Sequence, residues 1–251
     1  MSPSTVDVAP RRGLAPWAAL RRSTRRHALF VAPGGFTPWA GGDTMPLDAL
    51  PGWCHAQAGA DLRVVLSGLL THTLLADAAL PLAGDDALRE HARLQFAHYH
   101  GAAALHWPLA PWRWGARRGV VALHGLDLAV FAGVRLRSVE PYWSVVLRRA
   151  CGDVRPELRQ QDVAYLVVEG AAVTVIDCHD GAIRSIAQRR LDEATPAALA
   201  AFMDARRGES ELAPMMVACG HGLAGTATAL RGLNTVGSLT RAAPGDEGGL
   251  P

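Results

Sequence analysis

Asp162-Val-Ala-Tyr-Leu-Val-Val-Glu-Gly170-Ala-Ala-Val-Thr-Val-Ile-Asp-Cys-His-Asp180-Gly-Ala-Ile-Arg-Ser-Ile-Ala-Gln-Arg-Arg-Leu191 is the stretch that decides the fold. It is rich in β-branched residues, alternates, and breaks twice, at Glu169-Gly170 and Asp180-Gly181. Small residues that tolerate positive φ mark tight hairpins, so three consecutive antiparallel strands are predicted. Downstream, Thr195-Pro196 reads as an N-cap followed by proline at the first helical position, with a helix through Arg206 that stops at Gly208. An apolar strand is expected over Pro214 to Ala218, then a turn at Cys219-Gly220-His221-Gly222, then a helix over Leu223 to Leu233.

Upstream, His27 to Ala32 and Phe36 to Ala40 form an expected strand pair around Pro33-Gly34-Gly35. Pro51 to Ala58 reads as a short helix and Leu62 to Leu69 as a buried strand. Asp85 and Asp86 suit a helix N-terminus, where carboxylates complement the dipole. The spacing of Leu88, Ala92, Phe96 and Tyr99 then predicts one core-facing stripe. Trp107 to Trp114 reads as a packed loop, and Gly119 to Leu123 and Val134 to Val139 as strands around a short helical piece. Glu140-Pro141 opens a helix to Ala150, ended by Cys151-Gly152.

A chain of 251 residues, 49% of them hydrophobic, is long enough for one large domain or two lobes sharing a cleft. All 25 basic residues are arginine, which excludes P-loop lysine and Schiff-base chemistry. A net charge of +2 demands no nucleic-acid partner. The basic residues are uneven, however: Arg11, Arg12, Arg21, Arg22, Arg25 and Arg26 flank an apolar Leu14 to Leu20 stretch. The expectation is a flexible solvated leader over residues 1–26, with binding to an anionic membrane surface or to an acidic partner as the weaker alternative. The Gly/Pro-rich tail over 242–251 is expected to be disordered.

Cys54, Cys151, Cys178 and Cys219 are scattered without a Cys-x-x-Cys pair, as reduced thiols in a cytosolic protein would be. Val64 to Ala83 and Gly119 to Leu136 look membrane-like but are interrupted by Asp77, Pro81, His124 and Asp127, so core strands are expected instead. Ten histidines include no i,i+4 pair with an acidic third ligand, and His91 and His98 lie about 10 Å apart along a helix. No metal site and no catalytic residue are expected.

The ordered set Asp61-Leu-Arg-Val-Val-Leu-Ser-Gly-Leu-Leu, Leu80-Pro-Leu with the helix from Asp85, Ala132-Gly-Val-Arg-Leu-Arg-Ser-Val-Glu-Pro, and Val163 to Leu191 with Met216-Val-Ala-Cys-Gly-His-Gly resembles the actin-like assembly proteins of type IV pili and type II secretion. The similar proteins are the PilM family and the cytoplasmic domain of GspL. The resemblance covers roughly residues 27 to 240. It implies an α/β fold with mixed sheets, actin-like (RNase H-like), two-lobed and reduced in size. The lobes are expected over 27–140 and 141–241.

The departures from that pattern bear on chemistry. Actin-like ATPases hold magnesium-bound phosphates with carboxylates beside glycine turns. Where the resemblance expects Asp-Ile-Gly, this chain has Val168-Glu169-Gly170, and neighbouring strand residues point to opposite faces. The loop from Pro33 to Phe36 carries no acid. Gly170, Thr174, Gly220 and Gly222 remain as a vestigial nucleotide site that holds an anion through backbone amides, although ordinary turn glycines explain them as well.

The reading is therefore a cytoplasmic scaffold peripheral to the inner membrane: a degenerate pseudo-ATPase with no cofactor and doubtful ATP binding. Its implied partners are a cytoplasmic peptide of a single-pass inner-membrane protein, lying in an interlobe groove or extending a sheet edge, and a separate secretion or pilus assembly ATPase. The competing reading is a divergent actin-like kinase or nucleotide hydrolase whose acids, Glu169, Asp177 or Asp180, converge in the cleft.

Overall fold

The computed structural model describes residues 26–39, 43–153, 162–208 and 215–224. The arginine-rich leader before Arg26, the helix expected through Leu233 and the C-terminal tail lie outside the described residues.

The first sheet begins with β1 (Arg26–Ala32) and β2 (Gly35–Pro38), an antiparallel pair. Helix α1 (Leu50–Ala56) carries the chain back to β3 (Asp61–Leu66), which lies parallel to β1. Alternation assigns the faces. Leu29, Val31, Leu62, Val64 and Leu66 pack with Leu50 and Cys54 of α1, whereas Phe30 and Val65 join a different core.

After β3 the chain does not continue extended to Leu69, as the sequence suggested. Ser67 caps a 3-10 turn over Gly68–Leu70 by accepting the Leu69 N–H at 3.1 Å. A second sheet follows: β4 (Thr71–Leu75), β5 (Leu109–Trp114) and β6 (Arg117–Leu123), in the order β4-β6-β5. Helix α2 (Gly84–His100) covers it, burying Leu88, Ala92 and Phe96 against Val120 and Ala122.

Two expectations are corrected here. Tyr99 is 72% exposed, because the packed stripe follows every fourth residue, 88, 92, 96 and then His100, which stacks on His72. The Trp107 to Trp114 segment is not simply a loop; its second part is β5, a sheet edge where Pro111 is tolerated because an edge strand can forgo a donor.

A 3-10 turn over Leu128–Phe131 returns the chain to β7 (Arg135–Pro141), parallel to β3, completing the order β2-β1-β3-β7. Helix α3 (Tyr142–Asp153) follows directly. The third sheet is the expected meander, β8 (Val163–Glu169), β9 (Ala172–His179) and β10 (Ala182–Arg190). Asp180 (φ +49°) and Gly181 (φ +71°) both occupy the positive-φ region that a two-residue hairpin of matching twist requires.

Helix α4 (Pro196–Gly208) starts where expected; the Thr195 hydroxyl accepts the Ala198 N–H at 3.2 Å, a cap that contributes about 1 kcal/mol. Strand β11 (Met215–His221) runs three residues beyond the expected Ala218, taking Cys219, Gly220 and His221 into a parallel pairing with β8. The third sheet thus has the order β10-β9-β8-β11.

All seven residues of β8 are buried, as a strand covered on both faces must be. Ala164, Leu166 and Val168 meet Leu199 and Met203 of α4. Val163, Tyr165 and Val167 turn the other way, towards Tyr142, Trp143 and Leu147 of α3 and Phe30 and Val65 of the first sheet. Helix α3 is therefore the wedge on which the first and third sheets both pack. Cys54 and Cys178 are buried and Cys219 is half-buried. Among the described residues no helix is long and apolar enough to cross a membrane.

Candidate functional site

Two places at the lobe junction carry unusual geometry. The first lies at the end of β8. Gly170, Gly220 and Gly222 do come together there, and backbone contacts occupy them. The Gly170 N–H donates to the His221 carbonyl at 2.9 Å. A Cβ on Gly220 (φ +140°) would fall 2.0 Å from the Val168 carbonyl oxygen, and one on Gly222 would fall 2.9 Å from the Gly170 nitrogen. Only glycine permits that approach.

Thr174 belongs to a neighbouring polar cluster. Glu169 and Val168 point to opposite faces: Val168 enters the α4 core, while Glu169 reaches the other lobe, where Oε1 accepts the Gly68 N–H at 2.9 Å. Gln188 Nε2 donates to the carbonyls of Gly68 (2.5 Å) and Thr71 (3.1 Å). Burial raises the pKa of Glu169 above the usual carboxylate range, against the pull of hydrogen bonds from Ser67 and the Gly68 N–H.

The three acids considered for a catalytic role do not converge. Asp177 accepts from Ser185 Oγ and Arg206 Nη2, both at 2.5 Å, and Asp180 faces His179 at 3.4 Å, whereas Glu169 holds Gly68. Among the described residues no group of three or more His, Cys, Asp or Glu side chains is placed to hold a metal ion. His72, His100 and His124 do cluster, but as stacked rings with centroids 4.0 and 4.4 Å apart, so their faces meet rather than their nitrogens converging.

The second place is an open groove of about 400 Å³. All of β5, including Ala110, Trp112 and Trp114, lines it together with Val139 and Pro141 of β7 and Ser144 and Arg148 of α3. Trp112 meets Trp143 edge to face at 5.4 Å, and Trp143 is held by a 3.2 Å bond from its indole N–H to Thr73 Oγ1. The lining is chiefly apolar. Its charged end is Glu140, bound by Arg63 at 3.2 Å and also by Arg148. Burial alone would raise the Glu140 pKa, but the two guanidinium groups outweigh it and the net direction is down.

The groove runs beside a free backbone edge. Pro111 has no N–H, so the ladder with β6 uses the even-numbered residues, in keeping with the Leu123 N–H to Pro108 carbonyl bond of 3.0 Å. Leu109 and Arg113 therefore present their backbone N–H and C=O groups outward. Sequence reasoning missed this edge; the signal was Ala110, Trp112 and Trp114 at a period of two, masked by the prolines around them.

Two mixed sheets, each combining an antiparallel hairpin or meander with added parallel strands and packed about a common helix, define a two-lobed protein of the actin-like class. No family sequence profile and no curated protein sequence matches this chain. Among solved structures it is similar to a chain of the PilM-PilN type IV pilus biogenesis complex, at TM-score 0.56 and 13% identity over 84% of this chain and 87% of that one. It is also similar to a Bacteroides thetaiotaomicron protein with an actin-like ATPase fold and unknown function, at TM-score 0.51 and 10% identity over 83% and 85%. The cytoplasmic domain of EpsL, an inner-membrane component of the type II secretion system of Vibrio cholerae, aligns over 78% of this chain and 82% of that domain, at TM-score 0.44 and 12% identity. The first two likenesses establish the fold.

Proposed function

We propose that this chain is a cytoplasmic scaffold of a type IV pilus or type II secretion assembly platform at the inner membrane, without ATPase activity. Its groove receives an extended cytoplasmic peptide from a single-pass membrane protein, and a separate assembly ATPase is its second partner. The observation that carries this reading is the groove itself: an apolar trough beside a sheet edge with outward backbone groups at Leu109 and Arg113 suits an extended chain better than a compact metabolite. The similar chain from the PilM-PilN complex supports it, since that protein is found with a partner. The engagement of Glu169 and Asp177 in structural contacts supports the absence of hydrolysis.

The test is a photo-crosslinkable residue at Ala110, introduced into the protein in its native cell. The expected adduct maps to the cytoplasmic segment of a single-span membrane protein and disappears when Val139→Arg blocks the groove. The same adduct recovered equally from Glu90, on the exposed face of α2, would overturn the assignment of the groove.

A further inference from the structure

We propose that Glu169 and Gln188 form a latch that fixes the orientation of the two lobes by gripping the backbone of the Ser67–Thr71 turn, with Thr174 lining the same contact and the bare Gly68 leaving room for it. The three side chains come from three adjacent strands, β8, β9 and β10, and point from one face of the third sheet at a single turn of the first lobe. Glu169 takes the Gly68 N–H, Gln188 takes the carbonyls of Gly68 and Thr71, and so both polar groups of Gly68 are bound by the opposite lobe. A Cβ on Gly68 would lie 2.9 Å from Glu169 Oε1 and 3.2 Å from both Gln188 Nε2 and Thr174 Oγ1. No local strand or turn geometry favours glycine here; the crowding of a Cβ would come from the ends of the three incoming side chains, which would have to shift.

Burial makes these bonds consequential. Glu169 is 7% exposed, so opening the seam without a replacement donor strands the Oε1 that the Gly68 N–H satisfies in the closed form. Apolar packing across Phe30, Val65, Tyr165 and Val167 joins the lobes but is non-directional. The hydrogen bonds at Gly68 are directional and buried, so with the exposed Trp114–Gly181 bond they favour one orientation.

Hydrogen–deuterium exchange of the intact chain tests the latch without any ligand and independently of the peptide-binding reading. In Glu169→Ala, exchange over residues 67–71 is expected to accelerate about tenfold or more, while that of α2 is unchanged. Glu169→Gln retains an acceptor for the Gly68 N–H and should remain within about threefold of the parent. Distance measurement between labels carried by non-canonical residues at positions 90 and 204 should show one narrow population in the parent and a broadened one in Glu169→Ala. Unchanged exchange at 67–71, or a Glu169→Gln chain as fast as Glu169→Ala, overturns the proposal. If Glu169→Ala unfolds throughout, Gln188→Ala decides: acceleration confined to 67–71 supports the latch, and uniform or absent acceleration refutes it.

Discussion

The indole N–H of Trp114, the last residue of β5, donates to the carbonyl of Gly181 in the β9–β10 turn at 3.3 Å. One wall of the groove is thereby tied to the opposite lobe. Trp114→Phe keeps an aromatic ring and removes the donor, so a loss of about 1 kcal/mol is expected in urea unfolding. Trp114→Arg should in addition lower crosslinking from Ala110 in the cell, because it places a charge in the apolar trough. Undiminished crosslinking in Trp114→Arg would show that the partner does not use this wall.

Acid should weaken the fold through its histidines. Burial first, then the charges of His124 and His100, lowers the His72 pKa to about 4, and burial lowers that of His124. His72 is neutral when folded and takes up a proton near pH 6.5 when unfolded. The stability this supplies is complete above pH 6.5 and is lost as the pH falls towards 4. Gln95, Tyr99 and Gln188 face His72 across a small cavity, and no carboxylate lines it to stabilise the imidazolium. His72→Phe preserves the stack with His100 and Trp107 and should flatten the decline in Tm between pH 6.5 and 5. A parallel decline in parent and variant would remove His72 as its source.

Gly220→Ala should be among the most damaging small substitutions available. The added methyl would collide with the Val168 carbonyl at 2.0 Å, and the backbone there has φ +140°. β11 and β8 would have to separate, at a cost of about 3 kcal/mol. Gly52→Ala in the exposed middle of α1 is the control: nothing lies within 4 Å, and a gain of about 0.5–1 kcal/mol is expected from helix propensity. Equal unfolding midpoints for the two variants would refute the assigned β8–β11 contact.

Features written in local pattern were legible in the sequence. The meander announces itself because alternation and the Asp180-Gly181 pair are both short-range, and Thr195-Pro196 marks the start of α4 for the same reason. β5 was hidden because Pro111 argues against a strand unless the strand is known to be an edge, which is a property of the sheet. Tyr99 fits the helical period, but the helix ends beside His72 and Trp107, and His100 takes the contact. The partnership of Gly68 with Glu169 spans 101 residues and has no local signature: Glu169 reads as a turn residue and Gly68 as one glycine among many.

Titration with Mg-ATP tests the remaining chemical claim. Hydrolysis in this fold needs carboxylates free to bind metal and orient water. Glu169 is held through Oε1 by the Gly68 N–H and Asp177 by Ser185 and Arg206, so both carboxylates are already committed to structural contacts. The Gly170 N–H, a candidate phosphate donor, is held by His221. No saturable heat is expected with nucleotide up to about 1 mM, weaker than about 4 kcal/mol of binding. Glu169→Gln is expected to leave that result unchanged, because Oε1 of this residue is engaged by the Gly68 N–H. Micromolar affinity with magnesium-dependent turnover, abolished in Glu169→Gln or Asp177→Asn, would establish the enzyme reading and overturn the scaffold.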